Sequence, residues 1–283
     1  MTESTGRHRK RRSAPSAAAL VASTLAYIGG GPAEAAAQEA GPEAPSPEQR
    51  GLAIARQADE RTGGYHDYEA RLTMVLVSRD GKERMREMEV SALASGDGER
   101  TLLVFRSPRD LAGTALLSHS RGDGSDDQWL YLPSMKRVKR IAGAKQSGSF
   151  MGSEFAYEDI SSQEVDNFTY RYAGEDRIDG TAVEVVERFP AAEGSGYSRQ
   201  RVYLDRATVL PLRIEYFDRR GEHLKTLTLG DYQQHGPCWR AGIMTMENLR
   251  SSAVTRLEWS DFRFDIGLSE RSFTADALGR RGR

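Results

Sequence analysis

The chain has 283 residues, of which 38% are hydrophobic, so it is long enough to bury one large core or two small ones. Charged residues make up 29% of the chain, yet they balance to a formal net charge of −1. This balance excludes a general attraction for nucleic acid or other polyanions, and any electrostatic contact must come from a local patch. The single cysteine, Cys238, excludes an intramolecular disulfide and is expected to lie buried in a strand.

The first 37 residues have the composition of a secretory signal peptide. A basic run at 7–12 precedes a moderately apolar stretch at 16–30, and small residues follow it. This order predicts export to the periplasm and cleavage near Ala35 or Ala37. A disordered alanine-rich leader and a short membrane anchor are the alternative interpretations. Residues 38–47 are rich in proline and glutamate and are predicted to form a disordered linker.

One clear helix follows the linker. Ser46 is a suitable N-cap, Pro47 suits the first turn, and the pair at 63–64 is Gly-Gly, which ends helices. From residue 68 the hydrophobic period changes to two, with Ala70, Leu72, Met74 and Leu76 on one face of a strand.

Strand patterns and turn signals continue to the C-terminal region. A second strand is predicted at 83–95 and a third from 101, and later ones at 113–119, 128–132, 136–141, 168–173, 181–188, 199–204, 210–217, 223–231, 239–249 and 253–265. Long strands joined by tight turns predict an antiparallel meander in a mainly β protein with minor α content. A meander of about ten or more strands tends to curl, so a concave apolar face is expected.

Catalytic motifs are absent from the sequence. It contains no GxSxG, HExxH, P-loop, GxGxxG or CxxC pattern, and its histidines are not spaced as metal ligands on a helix. The neighbouring acids Glu158 and Asp159 could perform acid–base chemistry on spacing alone, but no histidine is near them in the sequence. We therefore predict no catalytic residue, no metal site and no cofactor.

The most informative pattern lies at 126–166. The strand WLYLP is followed by a basic strand with Lys136, Arg137, Lys139 and Arg140, and then by FMGSEFAYEDI at 150–160. This last stretch mixes apolar and aromatic residues with glycine and serine and has neither helical nor strand period. One interpretation is a solvated hairpin whose charges pair with the next segment. The other is that the basic strand contacts anionic lipid head groups or a docking partner, while 150–160 forms a movable flap across a cavity mouth.

The sequence WLYLPSMKRVKRI followed by GSFMGSEFAYEDI resembles the signature of the outer membrane lipoprotein-sorting family, in the LolA-like branch that is often encoded beside RND-type (MMPL-like) exporters. The resemblance covers roughly residues 50–270, and its matching positions are Trp129, Leu130, Tyr131, Pro133, Arg137, Phe150, Met151, Gly152, Ser153, Phe155, Tyr157 and Asp159. It implies a strongly curved antiparallel sheet, an incomplete half β-barrel of the LolA/LolB type, with a helical plug and an apolar cavity for acyl chains.

We expect this lipid-binding domain at 48–275, followed by a flexible basic tail at 276–283. The candidate cavity and flap residues are apolar or aromatic: Leu72, Met74, Leu76, Trp129, Tyr131, Phe150, Met151, Phe155 and Tyr157. Methionine side chains repack easily around different shapes, so Met74, Met85, Met88, Met135, Met151, Met244 and Met246 would provide an adaptable lining if they face inward. Ordinary core positions are the alternative for each of them.

Together these features predict a periplasmic, monomeric carrier for a lipid or acylated cargo, without a nucleic-acid partner. The carrier would exchange its cargo with an RND/MMPL-type inner-membrane exporter or an outer-membrane acceptor. Two alternatives remain open at this point. One is a lipid-sensing regulatory module that acts through protein contacts, like the sigma-factor regulators that share the half-barrel. The other is an enzyme acting on envelope lipid or glycan.

Overall fold

A computed structural model of the chain describes residues 44–96, 98–121 and 126–280. The predicted signal peptide and residues 38–43 of the predicted linker lie outside these ranges. Residues 44–46 are exposed, and the first helix, α1, spans Pro47–Thr62. Its N-terminus has the predicted cap: the Ser46 hydroxyl accepts from the amide of Gln49 at 3.2 Å, while the Gln49 side chain accepts from the Ser46 amide at 2.9 Å.

Within the described residues, thirteen strands form a single antiparallel sheet. They are β1 (Asp67–Val77), β2 (Glu83–Ser95), β3 (Gly98–Ser107), β4 (Ala115–His119), β5 (Asp127–Leu132), β6 (Arg137–Ile141), β7 (Phe168–Ile178), β8 (Thr181–Pro190), β9 (Tyr197–Asp205), β10 (Pro211–Asp218), β11 (His223–His235), β12 (Cys238–Asn248) and β13 (Val254–Phe264). This confirms the mainly β class and the antiparallel meander that the period-two patterns predict.

The order of the strands across the sheet differs from a simple meander in one respect. The order is β6-β5-β4-β3-β2-β1-β13-β12-β11-β10-β9-β8-β7, so the first and last strands pair with each other. The two edges are β6 and β7, which are consecutive in sequence but do not pair. The sheet is therefore an open half-barrel whose gap falls in the middle of the chain.

Two elements fill the concave face of the sheet. One is α1, which packs against β7, β8 and β12. The other is residues 142–167, here called the plug segment, which connects β6 to β7 and contains the short helices α2 (Gly143–Gln146) and α3 (Tyr157–Ile160). Because α1 touches strands that are far apart in the strand order, the sheet must curve around it. The helical plug implied by the family resemblance is thus present.

Gly51 sets the distance between α1 and the sheet. A Cβ atom at this position would lie 2.8 Å from the backbone nitrogen of Tyr172 on β7, closer than real Cβ contacts allow. Only glycine therefore permits this approach of helix and strand. No helix in the described ranges has the length and apolar character of a membrane span.

The outer face of β2–β6 is covered by the C-terminal residues, which corrects one expectation. A second apolar cluster there joins Leu102 and Leu117 to Phe273 and Leu278, each at most 2% exposed. Leu278 belongs to α4 (Ala275–Arg280). The flexible tail predicted from residue 276 is therefore wrong as far as Arg280, because Leu278 has an apolar surface to bury against. Residues 281–283 lie outside the described residues.

Candidate functional site

An apolar cavity of about 320 Å³ lies on the concave face, on the β7–β13 side of the half-barrel. Its floor consists of inward-facing residues of the sheet, including Val186, Val202, Leu204, Ile214, Leu227 and Leu229. Its other walls come from α1, through Ala55 and Ala58, and from aromatic residues of β12 and β13, through Trp239, Trp259 and Phe262. The volume lies at the lower end of the range for small-molecule sites, about 300–1,000 Å³.

The strand pattern explains why this cavity is apolar. Val186, Val202, Ile214 and Leu227 occupy neighbouring strands in register, and each is at most 8% exposed. Period-two alternation places all four on the concave face, where Ala55 and Ala58 of α1 are the opposing residues. The alanine side chains are too short to fill the space between α1 and the sheet, so a hollow remains there.

The plug segment fills the other side of the half-barrel. Phe150 and Phe155 are 0% and 2% exposed, and the ring of Phe150 lies 6.0 Å from that of Phe105 on β3. The Arg86 guanidinium of β2 donates to the Met151 carbonyl at 2.7 Å, and the Glu154 amide donates to the Thr255 hydroxyl of β13 at 3.0 Å. The segment 150–160 is thus packed against the sheet in this structure, with Phe155 and Asp159 also lining the cavity, and its role as a movable flap stays a prediction.

Local structure within the plug segment supports this buried position. Ser149 and Ala156 form an antiparallel bridge, and the turn between them places Met151 and Gly152 in the left-handed region, with φ of 52° and 76°. Phe150 and Phe155 then project from a small hairpin into the core. Glycine and serine in this stretch thus make a tight turn and its hydrogen bonds, which explains why the segment lacks a regular period.

A buried ion pair joins the plug segment to the sheet at one end of the cavity. Lys225 of β11 contacts Asp159 at 2.6 Å, with both side chains less than 5% exposed. The same carboxylate accepts from the Tyr197 hydroxyl at 2.9 Å and from the Ala156 amide at 2.6 Å. Lys225 also donates to the Glu154 carbonyl at 3.0 Å. Burial and the neighbouring Asp159 raise the pKa of Tyr197 well above its ordinary value, so its hydroxyl stays a donor.

Glu158 lies beside this pair and has a different set of partners. Its carboxylate accepts from the Ser195 hydroxyl at 2.7 Å and from the Gly196 amide at 2.9 Å. Burial raises the pKa of Glu158 above its ordinary value, and the two hydrogen bonds oppose that shift. Both acids at 158–159 thus hold the loop at 195–196 and the sheet against the plug segment. Among the described residues, no group of three His, Cys, Asp or Glu side chains could hold a metal ion.

Of the nine apolar residues predicted for the cavity and flap, Phe155 is the one that lines this cavity. Leu72, Met74 and Leu76 on β1 face the concave side as predicted, but they are core residues on the part of the sheet that the plug segment covers. Phe150, Met151 and Tyr157 belong to or pack against the same core. Trp129 and Tyr131 lie on the outer face, in the cluster with Phe273 and Leu278.

The methionines divide in the same way. Met244 lines the cavity, whereas Met74, Met88 and Met246 are at most 1% exposed in the core. Met85 and Met135 are 59% and 47% exposed, so the possibility that they face inward is wrong. Met85 lies on the face of β2 opposite to that of Arg86 and Met88, and Met135 lies in the turn between β5 and β6. Cys238 is buried as predicted, and its thiol donates to the Thr62 carbonyl at the end of α1.

The four predicted basic contact residues lie on or beside β6, the exposed edge of the sheet. Arg140 forms an ion pair with Asp127 of β5. Lys136, Arg137 and Lys139 are exposed, and no ion pair with another described residue involves them. Basic residues on an edge strand also prevent it from pairing with strands of other molecules. The charges on β6 can therefore protect the sheet from aggregation as well as bind a partner.

Two arginines in the cavity wall, Arg188 and Arg240, were missed by the sequence reasoning. Arg188 of β8 donates to the Gln200 side chain at 2.7 Å and stacks over Phe168. Arg240 of β12 stacks over Tyr65 and Tyr68. Arg240 interrupts the apolar alternation of β12, and that break is the signal that could have found it, whereas β8 also contains Glu184 and Glu187 and so does not single out Arg188.

Comparison with known structures places the chain among lipoprotein-sorting proteins. Its structure is similar to that of a domain from Vibrio parahaemolyticus that is described as an outer membrane lipoprotein-sorting protein, with 43% identity and a TM-score of 0.79, covering 82% of this chain and 100% of that domain. A DUF1329 family protein from Desulfovibrio piger matches with 31% identity and a TM-score of 0.78, covering 83% of this chain and 100% of that one.

A LolA superfamily protein from Nitrosomonas europaea shares the fold, with 21% identity, a TM-score of 0.68 and coverage of 80% of this chain and 98% of that one. A family model described as "Uncharacterized protein" matches residues 97–280. No curated protein sequence matches the chain. On the identity and coverage of the Vibrio and Desulfovibrio structures, the chain belongs to the outer membrane lipoprotein-sorting protein family, and its half-barrel is LolA-like.

Proposed function

We propose that the chain is a periplasmic carrier that binds a lipid or acylated cargo in the cavity on its concave face and exchanges that cargo with an envelope transporter. The observation that carries this proposal is the apolar hollow of about 320 Å³ between α1 and β7–β13. Membership of the lipoprotein-sorting family supports it independently. We propose that the carrier acts as a monomer and without a cofactor.

The energetics of burial favour an acyl chain as the cargo. Each methylene transferred from water to an apolar surface contributes about 0.8 kcal/mol, so about twelve methylenes contribute on the order of 10 kcal/mol before ordering costs. The cavity wall offers aliphatic side chains from five adjacent strands, β8–β12, and aromatic ones from β12 and β13. Such a surface stabilises an acyl chain by complementary shape and by excluding water, and it requires no catalytic group.

Exchange with a transporter requires a docking surface, and the basic edge of the sheet is our candidate. Lys136, Arg137 and Lys139 present their charges to solvent on β6. We propose that they contact an acidic surface of an RND/MMPL-type exporter or an outer-membrane acceptor. The position of β6 suits this role because it is an edge strand and lies beside the opening of the half-barrel.

The enzymatic alternative has less support. It rests on Glu158 and Asp159, and both carboxylates are occupied by hydrogen bonds from the chain itself. Asp159 is further neutralised by Lys225 at 2.6 Å. A carboxylate that holds a loop and a buried ammonium is poorly placed to exchange protons with a substrate. In a carrier, Glu158 and Asp159 need no other role than the one seen in the structure, where they anchor the plug segment.

Two substitutions on one helix provide a direct test of the cavity. Ala58 lines the hollow and Ala53 is exposed on the opposite side of α1. We expect A58W to fill the cavity and to weaken binding of a fluorescent fatty acid at least tenfold, while A53W binds as the wild type does. Mass spectrometry of an organic extract of the purified protein should identify co-purifying lipid in the wild type and little in A58W. Absence of lipid from the wild type, together with no fatty acid binding, would refute the carrier.

A further inference from the structure

Among the charged residues of the cavity wall, Arg240 has buried donors without a partner, whereas Asp159 is paired with Lys225 and Asp59 is exposed. Its Nε and Nη2 atoms are inaccessible to solvent, and neither has a hydrogen-bond partner among the described residues. The guanidinium carbon lies 4.6 Å from the ring centroid of Tyr65 and 4.9 Å from that of Tyr68. A guanidinium has five N–H donors in a planar fork and no acceptor, so two buried nitrogen atoms with three N–H groups between them are left unsatisfied.

The described residues offer no carboxylate to pair with these donors. Glu99 acts on Arg240 through its charge, but its oxygens accept from the hydroxyls of Tyr65 and Thr101. The sulfur of Cys238 is a hydrogen-bond partner of the guanidinium, but Nε and Nη2 remain without one. Arg188 provides a contrast within the same cavity, because its donors reach the side chains of Gln200 and Gln163. The two arginines are therefore not equivalent, and Arg240 retains a free donor pair.

We propose that Arg240 binds the anionic head group of a single-chain amphiphile whose tail occupies the apolar cavity. This inference rests on the proposed carrier function and names the class of its cargo. A carboxylate or a phosphate ester accepts two parallel hydrogen bonds from a guanidinium, which suits the unsatisfied Nε and Nη2. The tyrosine rings lie against the guanidinium, and because Nε and Nη2 are covered in this structure, the Arg240 side chain must rotate to turn these donors towards the head group.

The strand register gives the tail a path that begins at Arg240. Arg240 lies opposite Gln233 on β11, near one end of the half-barrel. The cavity wall continues past Leu229 and Leu227 on β11 towards the row of Lys225 and Tyr216 near the other end. At about 3.3 Å per residue, the eight residues from Gln233 to Lys225 span about 26 Å. The head group is thus bound at one end, and the ion pair of Lys225 with Asp159 closes the other.

The experiment compares an acid with its alcohol, because the two share a tail and differ in head charge. Wild-type protein is titrated with palmitate and with 1-hexadecanol, followed by the fluorescence of Trp239 and Trp259 in the cavity wall. We expect palmitate to bind about ten- to hundredfold tighter, the usual range for hydrogen bonds to a charged group. R240M should lose this preference by weakening palmitate alone, R240K should keep part of it, and inorganic phosphate alone should not bind.

The matched control is R213M, because Arg213 also stacks on a tyrosine, Tyr203, but lies outside the cavity wall. It should leave the acid-to-alcohol ratio unchanged, and hexadecanol binding by R240M reports that this variant is folded. Equal binding of acid and alcohol by the wild type would overturn the inference and leave the carrier function standing. So would an unchanged ratio in R240M, or saturable binding of inorganic phosphate alone, which would indicate a site for a free anion. Failure of the wild type to bind either amphiphile would overturn the inference, and if no lipid co-purified either, it would overturn the carrier function as well.

Discussion

Removal of the Lys225 ammonium should be among the most destabilising single changes in this protein. Lys225 and Asp159 are 4% and 3% exposed, and they connect the sheet to the plug segment at 2.6 Å. Substituting one member leaves the other charge buried without its counter-ion. Loss of one partner from a buried ion pair typically costs about 3–5 kcal/mol, a large part of a total stability that is usually about 5–15 kcal/mol.

The contacts that remain decide where in this range each variant falls. In K225M the Asp159 carboxylate still accepts from Tyr197 and Ala156, so we expect a cost of about 3 kcal/mol. In D159A the ammonium keeps the Glu154 carbonyl and two tyrosine rings at 5.2 Å, which replace the charge less well, so we expect about 4–5 kcal/mol. The double variant K225M/D159N removes both charges and should be more stable than D159A.

Urea unfolding followed by circular dichroism measures these differences, and thermal melts should show K225M about 6–12 °C below the wild type. The control is K82M, because Lys82 contacts Asp80 at 2.7 Å in a hairpin turn where both side chains are more than half exposed. Its effect should be too small to resolve. If K225M unfolded with the wild-type midpoint, the ion pair would contribute nothing, and our account of how the plug segment is held would be wrong.

Three further changes test other parts of the structure. G51V should lower the melting temperature, because its side chain would force α1 away from the Tyr172 backbone. L278A should cost about 2–5 kcal/mol in urea unfolding, since Leu278 is 1% exposed in the outer cluster. His119 forms a hydrogen bond with the Phe273 carbonyl at 2.8 Å, and burial lowers its pKa. As the pH falls, the histidine of the unfolded protein is therefore protonated first, near pH 6.5, and that of the native protein only at lower pH. The wild type should therefore lose stability from pH 7 to pH 5, and H119Q should lose less.

Each of these changes has a control at an exposed position. A53V on α1 and L249A, at a residue 46% exposed, should unfold close to the wild type. H66Q, at an exposed histidine, is measured over the same pH range for comparison. Equal effects of L278A and L249A would mean that α4 is not packed as described. A pH profile of H119Q that superimposes on the wild type would contradict the assignment of that transition to His119.

Local features of the sequence were sufficient to predict the elements of the fold. The cap at Ser46 and the glycines after Thr62 bound α1, because capping depends on residues within one turn. Alternation in β1 correctly places Leu72, Met74 and Leu76 on the concave face, since the period of a strand is local as well. The signature at 129–159 predicted the family, which the similar structures confirm.

Alternation predicts which face of the sheet a residue occupies but not what lies opposite that face. Leu72 and Met74 face inward, yet Phe150 and its neighbours occupy the space above that part of the sheet. Trp129 and Tyr131 face outward and are half-buried or buried there because the C-terminal residues return to cover them. The position of the cavity over β7–β13 therefore depends on where two distant segments pack, which no local pattern contains.

The sequence by itself determined the strands, the first helix, the mainly antiparallel order and the family. Only the tertiary structure decided that β1 pairs with β13, that the sheet opens between β6 and β7, and that Asp159 meets Lys225 across 66 residues of chain. The physical reason is the range of the interactions involved. Caps and strand periods act within a few residues, whereas pairing of the chain ends, insertion of the plug segment and formation of a buried ion pair depend on contacts between residues far apart in sequence.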